Sequence, residues 1–209
     1  MKNSFIYNEK INELDVLFLY CENILPNNLF FILQKWLQNK KFKDGYSIEG
    51  KEIPRKQIWY HKNKKYFCDK WKYRYDRWES DEYDNLLNYV QDYIQIEINT
   101  LLEDWEDIKI PKINSCLINK YRDGNDSIKP HSDSEISFGE CPTIVNLSIG
   151  ETRELKIKKK GYKDKFSINL KNNSILIMAG GSQKYFTHEI PKDYSNNERY
   201  SLTFREHIQ

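Results

Sequence analysis

From Cys116 to the C-terminus the chain falls into seven short runs of strand-forming residues: CLINKY (116–121), TIVNLSI (143–149), RELKIKK (153–159), KFSINL (165–170), SILIMA (174–179), KYFTHEI (184–190) and RYSLTFR (199–205). Clusters of Gly, Asn, Pro and Asp separate them. Successive side chains of a strand point to opposite faces, and no helical period lies between these runs. That excludes βαβ units and leaves an antiparallel sandwich or jelly roll. The Lys-rich KIKKKGYKDK reads as a hairpin turning near Gly161 and adding positive surface.

Helical periodicity is confined to the first half. PNNLFFILQKWLQN (26–39) repeats apolar residues at 29, 30, 33, 36 and 37, with Asn27 or Asn28 as its cap. A second helix is expected from near Ser80, with Asp81 and Glu82 in its first turn and apolar residues at 83, 86, 87, 90, 94, 98 and 101. Both are suited to covering a sheet. The expected fold is α+β, a single domain over 1–209, with helices first and a jelly-roll core over 110–209.

Of the 209 residues, 39% are hydrophobic and 31% charged, enough for a core and for solubility. No apolar run reaches membrane-span length, and the N-terminus carries no secretory pattern. Cys21, Cys68, Cys116 and Cys141 stand too far apart for a CxxC zinc cage or a disulfide framework. A soluble, intracellular monomer is expected, in nucleus or cytoplasm. The net charge of +2 hides segregation: residues 51–78 hold ten Lys or Arg, three acidic residues and eight aromatics. Residues 79–107 hold ten acidic residues and no Lys or Arg. The acidic block reads as a solvated face. Solvated faces rarely carry so many Trp and Tyr, so the basic block reads as a nucleic-acid surface, with a plain solvated face as the alternative.

KPHSDSE (129–135) places His131, Asp133 and Glu135 at alternate positions, and His188 lies near the end of a later strand. If the strand persists, His131 and Asp133 share a face. Two histidines and a carboxylate on one side of an ion leave three positions open, as in non-haem Fe(II) oxygenases. His61 and His207 suit the role less, and a chance triad remains the alternative. In RYSLTFR, Arg199, Ser201, Thr203 and Arg205 fall on one face and Tyr200, Leu202 and Phe204 on the other. Inward guanidinium groups are costly unless an anion meets them. Either a dicarboxylate cosubstrate or an internal salt bridge satisfies that need. Asn119 and Tyr121 share a face in CLINKY, as ligands of the same anion or as satisfied core polar groups.

The series LINKYRDGNDSIKPHSDSE, CPTIVNLSIG, NNSILIMAGGSQKYFTHEIPKDY and RYSLTFR resembles the AlkB family of Fe(II)- and 2-oxoglutarate-dependent nucleic-acid demethylases, nearest its eukaryotic DNA and RNA repair branch. GKEIPRKQIWY and YRY resemble that branch's substrate lid, placed here over 45–80. The likeness covers about residues 50–205. It implies a double-stranded β-helix with N-terminal covering helices and a nucleotide-recognition lid. It implies Fe(2+) held by His131, Asp133 and His188, with O2 as oxidant. It further implies 2-oxoglutarate bound by Asn119, Tyr121, Arg199, Ser201 and Arg205. Arg55, Tyr73, Tyr75 and Glu135 would contact a flipped base in DNA or RNA, the two tyrosines stacking on it and Glu135 reading its edge. The implied reaction oxidises an N-methyl group of the 1-methyladenine or 3-methylcytosine type and releases formaldehyde.

Three positions depart from the family pattern. Ser134 stands where relatives often have Asp, Ser201 stands where Asn is usual, and the lid between Gln57 and Tyr73 is longer. Competing readings are the same chemistry on a protein side chain or small molecule, and a silent nucleic-acid-binding module. The basic aromatic block speaks against the first, and the complete triad with both arginines against the second.

Overall fold

A computed structural model describes residues 3–46, 51–63, 79–163 and 165–208. Two layers, antiparallel but for the parallel pairing of a two-residue strand, form the core. The larger sheet runs in the order β1 (Asn3–Ile11), β2 (Leu14–Glu22), β11 (Ser174–Gly180), β8 (Ile144–Gly150), β13 (Arg199–Arg205), β6 (Ser115–Tyr121), β4 (Glu52–His61) and β3 (Lys43–Tyr46), with β5 (Asp81–Glu82) pairing β4. The smaller sheet runs β10 (Lys165–Leu170), β9 (Arg153–Lys159), β12 (Phe186–Ile190) and β7 (Ile128–His131). This is the expected jelly roll. Three of the seven expected strands, 153–159, 165–170 and 199–205, have the observed limits.

Alternation along each strand of the large sheet serves two cores. Leu17, Leu19, Ile118, Leu147, Ile177 and Leu202 point outward and are buried beneath α1 (Asn27–Gln38) and α2 (Asn85–Leu101). Val16, Phe18, Ile144, Leu176 and Met178 point inward and meet Leu155, Ile157, Ile168 and Phe186 of the small sheet. Leu29, Leu33 and Leu37 of α1, and Leu87, Val90, Ile94 and Ile98 of α2, are the residues that cover the large sheet. The helices play the part their periodicity set out for them.

Several boundaries differ from the sequence reading. Pro26, not Asn27 or Asn28, occupies the cap of α1, and no side chain caps it. Asp81 and Glu82 form the short strand β5 instead of a first helical turn. α2 begins at Asn85, where the Asp84 side chain accepts from the Leu87 N–H, 2.9 Å. Residues 184 and 185 belong to the short helix α4 (Ser182–Tyr185) before β12. The order of helices before strands also fails, since β1 and β2 precede α1 and join the large sheet through β11. The β9–β10 hairpin turns at Gly161, whose φ of +80° favours glycine. Within the expected lid segment, Glu52–His61 is a full strand paired with β6. No helix among the described residues is long and apolar enough to cross a membrane.

Candidate active site

The two sheets enclose a cavity of about 330 Å³. At one end His131, Asp133 and His188 bring their ligand atoms within 4.8 Å of one another. The strands achieve this in a way simple alternation does not foresee. β7 and β12 pair His131 directly with His188, then slip so that Ile128 faces Ile190. That bulge turns both Ile128 and His131 toward the cavity. The strand ends at His131, so Asp133 and Glu135 do not continue it. Asp133 lies in the following loop, where its N–H donates to Gln183 Oε1 (2.9 Å) and Ser132 Oγ donates to the Phe186 carbonyl (2.7 Å). Glu135 opens α3 (Glu135–Phe138) and is exposed.

Hydrogen bonds set the tautomer and the charge of this cluster. His131 Nδ1 donates to the Lys129 carbonyl at 2.9 Å, leaving Nε2 with its lone pair. Burial lowers the His131 pKa. Burial and the neighbouring His131 hold that of His188 at about 3, so both rings are neutral near pH 7. Burial pushes the Asp133 carboxyl up, but its surroundings, led by the Arg205 guanidinium, outweigh this and hold it below the usual carboxylate value. Arg205 Nε donates to Asp133 Oδ2 at 2.7 Å, so of the two arginines on β13 this one has an internal acid partner. Two neutral imidazoles and one carboxylate fit a divalent iron.

At the other end stands Arg199, 1% exposed. Its Nη2 donates to Ser148 Oγ at 2.9 Å, and Tyr121's ring lies 5.2 Å from its guanidinium carbon. Among the described residues the buried Nε and Nη1 have no hydrogen-bond partner. Burial lowers its pKa to about 10, still cationic at neutral pH. A guanidinium with two N–H groups unmatched is the place for a carboxylate. This fits the far end of a 2-oxo diacid whose near end would reach the three residues that could hold a metal ion.

Between the two ends, Asn119 Oδ1 accepts from Gln57 Nε2 (2.8 Å) and Arg55 Nε (3.1 Å), which leaves the amide N–H groups for the cavity. Tyr121 and Ser201 also line it. Arg55 lines the cavity too, but it is partly committed to the protein through Asn119 and through Nη1 to the Ser127 carbonyl, 3.2 Å. Tyr73 and Tyr75 lie outside the described residues. The sequence reading missed Gln57, Asn146, Ser148 and Gln183. Asn146 and Ser148 were legible as the polar positions, two apart, of TIVNLSI; nothing local marks Gln183, which reaches Asp133 from a separate turn.

A family model described as the 2OG-Fe(II) oxygenase superfamily matches residues 19–205. The chain belongs to this superfamily. Membership implies Fe(II) and 2-oxoglutarate, with dioxygen, for the two ends of the cavity. The chain is 42% identical over 102 residues to alpha-ketoglutarate-dependent dioxygenase alkB homolog 3 of Rattus norvegicus, covering 44% of this chain and 35% of that protein. It is 30% identical over 118 residues to the DNA oxidative demethylase ALKBH2 of Arabidopsis thaliana, covering 45% of this chain and 38% of that one. The chain thus spans somewhat over a third of the length of these curated relatives. Among solved structures, that of OsALKBH1 superposes with a TM-score of 0.63 at 16% identity, over 91% of this chain and 96% of that one. At that identity the likeness speaks for the jelly roll alone.

Proposed function

We propose that the protein is an Fe(II)- and 2-oxoglutarate-dependent dioxygenase that oxidatively demethylates N-alkylated bases of the 1-methyladenine or 3-methylcytosine type in DNA or RNA. The observation that carries the chemistry is Arg199, buried with two unpaired N–H groups in the same cavity as His131, Asp133 and His188. In this reading His131, Asp133 and His188 hold the metal. Arg205 orients Asp133 and places positive charge beside the metal end of the cosubstrate. Arg199 clamps the far carboxylate through parallel N–H bonds. Asn119, Tyr121 and Ser201 hydrogen-bond the same molecule, and apolar side chains such as Leu117, Leu176 and Met178 exclude water around it. Iron, when bound, supplies the oxygen chemistry that converts 2-oxoglutarate to succinate and carbon dioxide and hydroxylates the N-methyl group, which leaves as formaldehyde.

The substrate class rests on other features. The basic aromatic block at 51–78 offers cations for phosphates and rings for bases. On the small sheet, exposed Lys158 and Lys165 stand directly opposite each other across β9 and β10, a like-charge pair that an anionic strand relieves. Two relatives bear names of this chemistry. Arg55, Tyr73, Tyr75 and Glu135 are assigned to the flipped base, with Glu135, exposed at the start of α3, as the carboxylate for a cationic lesion. The protein incubated with Fe(II), 2-oxoglutarate and oligonucleotides carrying 1-methyladenine is expected to release formaldehyde and restore adenine. Turnover of methylated peptides, with none on methylated single-stranded DNA, duplex DNA or RNA, would refute the substrate.

A further inference from the structure

β8 and β13 are paired so that Ser148 faces Ser201 and Asn146 faces Thr203. A chain of hydrogen bonds crosses this pair. Arg199 Nη2 donates to Ser148 Oγ (2.9 Å), and Ser148 Oγ donates to Asn146 Oδ1 (3.3 Å). Asn146 Nδ2 then donates to both Ser201 Oγ (2.5 Å) and Thr203 Oγ1 (3.1 Å). Every donor points away from the guanidinium. Ser201 and Thr203 therefore use acceptor capacity on Asn146 and keep their own hydrogens. Neither hydroxyl has a protein acceptor shown among the described residues, and Asn146, Ser201 and Thr203 all line the cavity.

A network that served packing alone would close on protein acceptors. This one starts at the arginine that awaits a carboxylate and ends in two hydroxyl hydrogens in the cavity wall. Both ends suit a group that only accepts, and an ionised dicarboxylate is such a group. We propose that Asn146 is a positioning residue for the oxo diacid: acting through Ser201 and Thr203, it aims two O–H donors at the bound cosubstrate. Ser201 lies between the two arginines on β13, and the amide that reaches it comes from the neighbouring strand. The idea rests on the cosubstrate assignment made above.

The test is 2-oxoglutarate binding, measured by calorimetry on the Fe(II)-loaded protein without oxygen, alongside thermal melting. Asn146→Ser is expected to weaken binding about tenfold, the effect of losing one hydrogen bond to a charged group. Ser201→Asn alone crowds a second amide against the first and is expected to weaken it as well. The double variant Asn146→Ser/Ser201→Asn exchanges the two groups between strands and is expected to return to within about threefold of the parent, using the same bond energies. Thr203→Val keeps the side-chain shape, removes one hydroxyl, and is expected to weaken binding. Asn146→Ser or Thr203→Val binding like the parent would overturn the proposal. So would a double variant no better than the weaker single, or melting points that fall while affinity stays put. If the parent itself takes up no 2-oxoglutarate, the cosubstrate assignment fails; if the parent binds and the variants match it, only the role of Asn146 falls.

Discussion

Arg199 and Arg205 sit six residues apart on one strand face, yet they do different things, and charge pairing separates them. Arg205 is neutralised by Asp133 at 2.7 Å, whereas Arg199 has Ser148 and the Tyr121 ring but, among the described residues, no carboxylate. Removing them has distinct expected outcomes. Arg199→Ala should weaken 2-oxoglutarate binding on the order of tenfold to a hundredfold, the span for hydrogen bonds to charged groups, with little change in oligonucleotide affinity. Equal losses in both titrations would contradict its place at the cosubstrate. Arg205→Ala leaves Asp133 buried without its cation, so it should weaken iron binding itself, read by metal titration. Asp133→Ala and His131→Ala remove proposed iron ligands and should abolish both iron retention and turnover.

Secondary-structure elements carry the stability of this arrangement, and the loop after β6 shows how. Asp126, 3% exposed at its side chain, accepts from the Arg122 backbone N–H, Nε and Nη2, at 2.8 to 2.9 Å. Burial raises the Asp126 carboxyl, but these bonds outweigh it and leave its pKa below the usual value. Because folding depresses it, the unfolded chain holds that proton more tightly. Its contribution is therefore complete above about pH 4 and is lost as pH falls through the folded value. Asp126→Asn should lower the melting point at pH 7 and flatten its decline on acidification; an unchanged acid limb would exclude the pair. On the other face of the large sheet, Leu33→Ala in α1 empties a fully buried position and should cost about 2–5 kcal/mol in chemical denaturation. Both helices are amphipathic covers with no side chain in the cavity, so such variants should change stability and leave 2-oxoglutarate affinity of the folded protein intact.

For the molecule as a whole, one cavity holds the His131, Asp133 and His188 cluster together with Arg199. The proposed nucleic-acid substrate calls on the cations of residues 51–78 and on exposed Lys158 and Lys165. Affinity for oligonucleotide should therefore fall steeply and log-linearly with salt, while 2-oxoglutarate binding inside the cavity responds far less. A flat salt response in a binding titration would remove these cations from the substrate's path.

Period-two patterning was enough to place seven strands, and the inward arginines of RYSLTFR, because a buried sheet imposes its alternation on every local stretch. The His131, Asp133 and His188 cluster was legible for a weaker reason, the rarity of histidine. What no local stretch contains is the register. The bulge that turns His131 toward His188, the end of β7 before Asp133 and Glu135, and the Gln183 amide that holds Asp133 all arise from pairings with strands far along the chain. β1 and β2 were missed because the large sheet recruits them through β11, a contact spanning the whole sequence. Asn146 stands between these cases. Its pattern was local, but its meaning came from β13 beside it, since a donor has a direction only once its acceptors are in place.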